Sequence, residues 1–83
     1  MKTKLKGIGI LGSGAWGTAL ASILNKKTTI SLWSYEKETT NQINKYKINK
    51  NYLPGIKIPN NVTATNDLEK LKTCKFIFIC IPS

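Results

Sequence analysis

The sequence predicts an α/β fold, the first half of a doubly wound parallel sheet with strand order 3-2-1-4. Three observations carry that prediction. Gly12-Ser13-Gly14-Ala15-Trp16-Gly17 fits the spacing Gly-x-Gly-x-x-Gly, and it stands between an apolar run, Ile8-Gly9-Ile10-Leu11, and a stretch whose apolar positions recur at helical spacing. A second run rich in β-branched and aromatic residues follows that helix after a short connection, as a strand-helix-strand unit requires. Finally, Phe76-Ile77-Phe78-Ile79-Cys80-Ile81 is continuously apolar, the pattern of a parallel strand buried on both faces.

The first strand is expected over 6–11, with Ile8 and Ile10 on one face and Gly7 and Gly9 opening the other for close packing. A helix over 15–25 places Trp16, Leu20, Ile23 and Leu24 along one apolar stripe, and Lys26 and Lys27 suit the negative end of its dipole. The second strand spans 28–34. A polar helix over about 36–47 has Ile43 and Tyr46 as its apolar anchors, and Thr39 with Gln42 fits a capping box. Turn chemistry fills 49–61, including Pro54-Gly55 and Pro59-Asn60-Asn61, with Leu53, Ile56 and Ile58 expected to tuck that loop against the domain. A short third strand over 62–65 leads to a brief helix capped by Asn66, with Asp67 and Glu69 in its positive first turn. The fourth strand, 76–81, then lies beside the first. Ligands of such sheets sit outside the carboxyl ends of the strands, at the switch point between strands one and four.

In the glycine turn the first glycine makes the tight bend, the second admits a pyrophosphate to the backbone, and the third lets the helix pack on the strand. The helix N-terminus then directs free N–H groups and a positive dipole end at the phosphates. Tyr35 and Glu36 follow the second strand, where dinucleotide folds place the group that reads the adenosine ribose. Glu36 equally suits a first-turn acid complementing the next helix dipole, and both roles can hold at once.

Eighty-three residues make one small domain, with no visible repeat or linker. The formal charge of +9 comes with lysine alone and no arginine. Scattered lysines read as a solvated surface that helps attract anions, and not as a nucleic-acid footprint, which favours arginine. The chain has no run long enough to span a bilayer and no signal-peptide core near its Met1, so a cytoplasmic protein is expected, with no membrane partner. Cys74 and Cys80 on one strand would stand roughly 20 Å apart, at about 3.3 Å per residue, which leaves both as reduced thiols. With no histidine and no clustered acids, neither a zinc site nor a Ser-His-Asp triad is expected.

Five blocks in order, Gly14-Ala15-Trp16-Gly17-Thr18-Ala19-Leu20-Ala21, Leu32-Trp33, Asn51-Tyr52-Leu53-Pro54-Gly55, Ala64-Thr65-Asn66-Asp67-Leu68 and Ile81-Pro82-Ser83, resemble the opening of bacterial NAD(P)-dependent glycerol-3-phosphate dehydrogenase. The resemblance implies an oxidoreductase that moves hydride between NAD(P)H and dihydroxyacetone phosphate to give sn-glycerol 3-phosphate for phospholipid synthesis, as a homodimer when full length. Residues 1–83 would be the N-terminal part of its dinucleotide-binding domain. The rest of that domain and a helical substrate domain, which holds the catalytic lysine, would lie elsewhere, so no catalytic residue is assigned. Gly12, Ser13, Gly14, Ala15, Trp16, Gly17, Tyr35 and Glu36 are the expected contacts to NAD or NADP. The resemblance assigns Trp16 a backbone role in the phosphate turn, whereas periodicity alone assigns its ring to the core. Where relatives often carry histidine or arginine for the extra phosphate of NADP, Tyr35-Glu36 departs from the pattern, which points to NAD; Lys37 works in the opposite direction. A 6-phosphogluconate-like dehydrogenase, a ketol reductoisomerase, a nonenzymatic binding module and an inactive remnant are the other readings, and Trp16-Gly17-Thr18 with Tyr52-Leu53-Pro54-Gly55 speaks against the first two.

Overall fold

The computed structural model describes residues 6–24 and 27–81. Strands β1 (Ile8–Leu11), β2 (Ile30–Trp33), β3 (Val62–Thr65) and β4 (Phe76–Ile79) form one parallel sheet in the predicted order, β3-β2-β1-β4. Parallel neighbours need crossovers. These are α1 (Ala15–Ile23), α2 (Lys37–Tyr46) with the loop after it, and a 3-10 helix (Leu68–Thr73).

Registration follows the apolar alternation. Ile8, Ile30 and Val62 stand in one row across the sheet, and Ile10, Leu32 and Ala64 in the next. Ala21 of α1, Ile43 of α2 and Ile58 close over this face to make the core. Each fully buried aliphatic side chain there contributes about 1.5–3 kcal/mol relative to exposure. At the β3 edge, Asn44 of α2 pairs both ways with one residue, its Nδ2 donating to Ala64 O at 2.8 Å and its Oδ1 accepting from Ala64 N at 2.7 Å. A side chain thus satisfies edge groups that would otherwise invite another strand.

Several expectations change. The inward face of α1 is Gly17, Thr18 and Ala21, so Trp16 and Ile23 are 84% and 80% exposed and do not belong to the core stripe. Only small residues fit where α1 crosses the glycine turn, which turns the bulky ones outward. Tyr46 is likewise exposed, leaving Ile43 as the buried anchor of α2. The Thr39–Gln42 capping box is absent: α2 starts at Lys37 with Glu36 as its N-cap, and Gln42 Oε1 accepts from Lys50 N at 3.0 Å instead. Asn66 does not cap the 3-10 helix; Asp67 does, accepting from Glu69 N at 3.0 Å, while Asn66 Nδ2 donates to Ser34 O at 2.8 Å and ties β2 to the end of β3. Ile58 anchors the loop after α2 but Ile56 is exposed. The largest departure is β4, exposed along its whole length, because among the described residues only β1 pairs with it. Cys74 caps the 3-10 helix instead of opening β4, and both cysteines are free thiols. Expectations touching Asn25, Lys26, Pro82 and Ser83 lie outside the described residues.

Candidate dinucleotide-binding site

The glycine turn joins β1 to α1 with three different demands on three glycines. Gly12 has φ 120°, a conformation that L side chains rarely adopt, and a Cβ there would strike the carbonyl oxygen of Cys80. A Cβ on Gly17 would overlap the carbonyl oxygen of Gly12, so the helix can approach the strand only with hydrogen at that position. Gly14 differs: a Cβ there would meet nothing within 4 Å. Packing therefore requires Gly12 and Gly17, whereas Gly14 borders open space, which is where the second glycine of a pyrophosphate turn belongs. Gly14 is also the N-cap of α1, without a side-chain hydrogen bond and with no acid in the first turn, so the positive helix end keeps its first-turn N–H groups for an anion.

Polar side chains lock the turn from below. Thr18 Oγ1 donates to Ser13 O at 3.0 Å, and buried Asn49 Nδ2 donates to the same carbonyl at 2.8 Å and to Thr18 Oγ1 at 2.7 Å. Ser13 Oγ donates to Ser34 Oγ at 2.8 Å. Ser34 Oγ in turn donates to Glu36 O at 3.1 Å and accepts from Glu36 N at 3.3 Å. Ser34 thereby fixes the backbone of Glu36 relative to the glycine turn. Tyr52, on the loop after α2, donates its phenol to Glu36 Oε1 at 2.6 Å. The hydrogen bond to Glu36 and the nearby negative charge raise the Tyr52 pKa above its ordinary 10.0.

These elements enclose a cleft of about 620 Å³ lined by Gly12, Ser13, Gly14, Trp33, Tyr35, Glu36, Tyr52, Cys80 and Ile81. It opens between the ends of β1 and β4, the switch point of the sheet. A larger hollow of about 830 Å³ is lined by residues of α2 alone, Glu38 to Tyr46, and has no converging elements around it.

A family described as NAD-dependent glycerol-3-phosphate dehydrogenase N-terminus matches residues 7–83. The chain belongs to that family. It is 41% identical over 76 residues to glycerol-3-phosphate dehydrogenase [NAD(P)+] of Zymomonas mobilis, covering 92% of this chain and 22% of the relative. The Bacillus licheniformis enzyme of the same name is 42% identical over 78 residues, with the same two coverages. The crystal structure of glycerol-3-phosphate dehydrogenase from Coxiella burnetii superimposes with a TM-score of 0.83 at 37% identity, covering 95% of this chain and 25% of that one. The chain thus spans about a quarter of the length of the dehydrogenases it matches.

Of the residues expected at the site, the structure brings Gly12, Ser13, Gly14, Tyr35 and Glu36 to the cleft. Ala15 and Trp16 stand in the first turn of α1 with exposed side chains outside its lining, and Gly17 is buried beneath it as a packing residue. Sequence reasoning missed Ser34, Asn49 and Tyr52. Tyr52 lay within a block already quoted for the family resemblance; Asn49, two residues before that block, carries no signal of its own.

Proposed function

We infer that this chain is the cofactor-gripping segment of an NAD(P)-dependent glycerol-3-phosphate dehydrogenase, the N-terminal part of its dinucleotide-binding domain. The observation that carries this is the open space at Gly14 above an uncapped helix N-terminus, in a chain of this family. The first-turn amides of α1, at Ala15 and Trp16, would receive the pyrophosphate. Gly14 gives it room, and Gly12 and Gly17 keep strand and helix close enough for those amides to converge. Glu36 would accept from the ribose hydroxyls, while Tyr35, 86% exposed and 6.5 Å from the ring of Trp33, offers a face for the adenine. The nicotinamide supplies the hydride chemistry.

The named activity of the relatives, glycerol-3-phosphate dehydrogenase, makes dihydroxyacetone phosphate and sn-glycerol 3-phosphate the proposed substrate pair. Supply of phospholipid synthesis and a homodimer belong to the same reading and rest on the resemblance, and a cytoplasmic location rests on the sequence expectation given above. No helix among the described residues is long and apolar enough to cross a membrane.

Calorimetric titration of the chain with NAD+ tests the reading. Binding that is lost in Gly14→Val, with the circular dichroism spectrum unchanged, is the expected result. Equal affinity of the two proteins would make the turn purely structural and overturn it.

A further inference from the structure

Glu36 is a solvent-bordering acid with three rotatable bonds, and such a side chain sweeps many positions unless something holds it. Its backbone is anchored through Ser34. Its carboxylate has one partner among the described residues, the Tyr52 hydroxyl at 2.6 Å, a length usual for a charge-assisted O–H···O⁻ hydrogen bond. No lysine among the described residues forms an ion pair with it, Lys37 included. The negative charge is therefore oriented without being neutralised. Among the described residues no hydrogen bond reaches Oε2, and Glu36 and Tyr52 both line the cleft. Tyr52 itself is held by its loop: Asn49 is pinned under the glycine turn, and Leu53 N donates to Asn49 O at 2.9 Å.

We propose that Tyr52 is a positioning residue for cofactor choice: its phenol holds one oxygen of Glu36, leaving the other for a ribose diol and keeping a full negative charge where a 2′-phosphate would have to sit. This rests on the dinucleotide reading given above. A neutral donor suits the task better than a cation. A lysine in its place would orient the acid but cancel the repulsion that excludes the phosphate, whereas a phenol orients it and preserves the charge. Discrimination between NAD+ and NADP+ then depends on a residue that need not touch the ribose.

The test is a double-mutant cycle on the chain, with NAD+ and NADP+ affinities measured by calorimetry for the wild type, Tyr52→Phe, Glu36→Gln and the double variant. Tyr52→Phe keeps the ring that lines the cleft and removes only the tether. The expected wild type favours NAD+. Tyr52→Phe lowers the NAD+/NADP+ affinity ratio by roughly tenfold or more, the value of one hydrogen bond to a charged group set loose. Glu36→Gln lowers the ratio at least as far, and adding Tyr52→Phe to it changes the ratio no further. A second readout follows the Tyr52 ring carbon by NMR against pH. Its titration should lie above the usual tyrosine range and return to it in Glu36→Gln, a change that a merely structural tyrosine would not show.

The outcomes separate the two readings. If Glu36→Gln shifts the ratio but Tyr52→Phe leaves it unchanged, or weakens both dinucleotides equally, Glu36 reads the ribose unaided and the positioning role falls. An ordinary Tyr52 titration in the wild type overturns the tether in the same way. If Glu36→Gln leaves the ratio unchanged, or the wild type prefers NADP+, the ribose-reading role of Glu36 falls and takes the proposal with it. If neither dinucleotide binds, the dinucleotide reading itself falls, and the proposal with it.

Discussion

Ser13 and Ser34 share a buried hydrogen bond of 2.8 Å across 21 residues of sequence, from the turn after β1 to the end of β2. Ser34 uses its hydroxyl fully, accepting from Ser13 Oγ and Glu36 N while donating to Glu36 O. The glycine turn and the backbone of Glu36 are thereby joined through one oxygen atom. Ser34→Ala should remove all three interactions and lower stability by about 2–3 kcal/mol, at roughly 1 kcal/mol for each net hydrogen bond. Ser13→Ala should cost only about 1 kcal/mol. Chemical denaturation of the two variants measures the difference.

Asn49 is fully buried, and its amide serves two acceptors, the Ser13 carbonyl on the glycine turn and the Thr18 hydroxyl on α1. Asn49→Ala leaves the Ser13 carbonyl with one donor fewer and opens a cavity. The expected loss is about 2–4 kcal/mol, read as a shift of the urea midpoint without a change in slope.

Gly14 and Gly17 should respond to the same substitution in opposite ways. Gly17→Ala places a methyl group inside the carbonyl of Gly12 and should prevent α1 from docking, with a stability loss above about 2 kcal/mol. Gly14→Ala meets no protein atom and should cost at most about 1 kcal/mol, the difference between glycine and alanine as N-caps, while weakening NAD+ binding at least tenfold. Thermal melts paired with calorimetry separate the two effects.

The Tyr52–Glu36 contact carries a pH signature. Because the hydrogen bond and charge of Glu36 raise the Tyr52 pKa above 10.0, the contribution of the tether is fully present below pH 10 and is lost as pH rises through the raised folded-state value. Phenolate absorbance in a spectrophotometric titration should show one tyrosine ionising later than in Glu36→Gln. No change at neutral or acidic pH should come from the phenol.

Leu32 lies at the centre of the core face, between Ile10 and Ala64 in register, and is fully buried. Leu32→Ala should destabilise by about 2–5 kcal/mol. For a domain of this size that approaches the whole stability, so loss of the cooperative thermal transition is the expected observation.

The sequence by itself determined the strand order, the glycine turn with its close packing at Gly12 and Gly17, and the place of Tyr35 and Glu36 just past β2. Each of these is encoded locally: alternating apolar residues select a strand face, glycine admits a backbone that other residues reject, and short crossovers leave few topologies open. Helix starts were less legible. Whether α2 begins at Lys37 or at Thr40, after a Thr39 cap, depends on Ser34 holding the Glu36 N–H, a contact that spacing within the helix cannot reveal. Only the tertiary structure decided which side of α1 faces the sheet, because the requirement for small residues comes from the Gly12 carbonyl beneath Gly17. It alone joined Asn49 to Ser13 across 36 residues and Tyr52 to Glu36 across 16. Such pairings arise when packing of the core brings a distant loop over the turn. A polar residue in that loop looks in sequence like any other solvated residue until the fold supplies its partner.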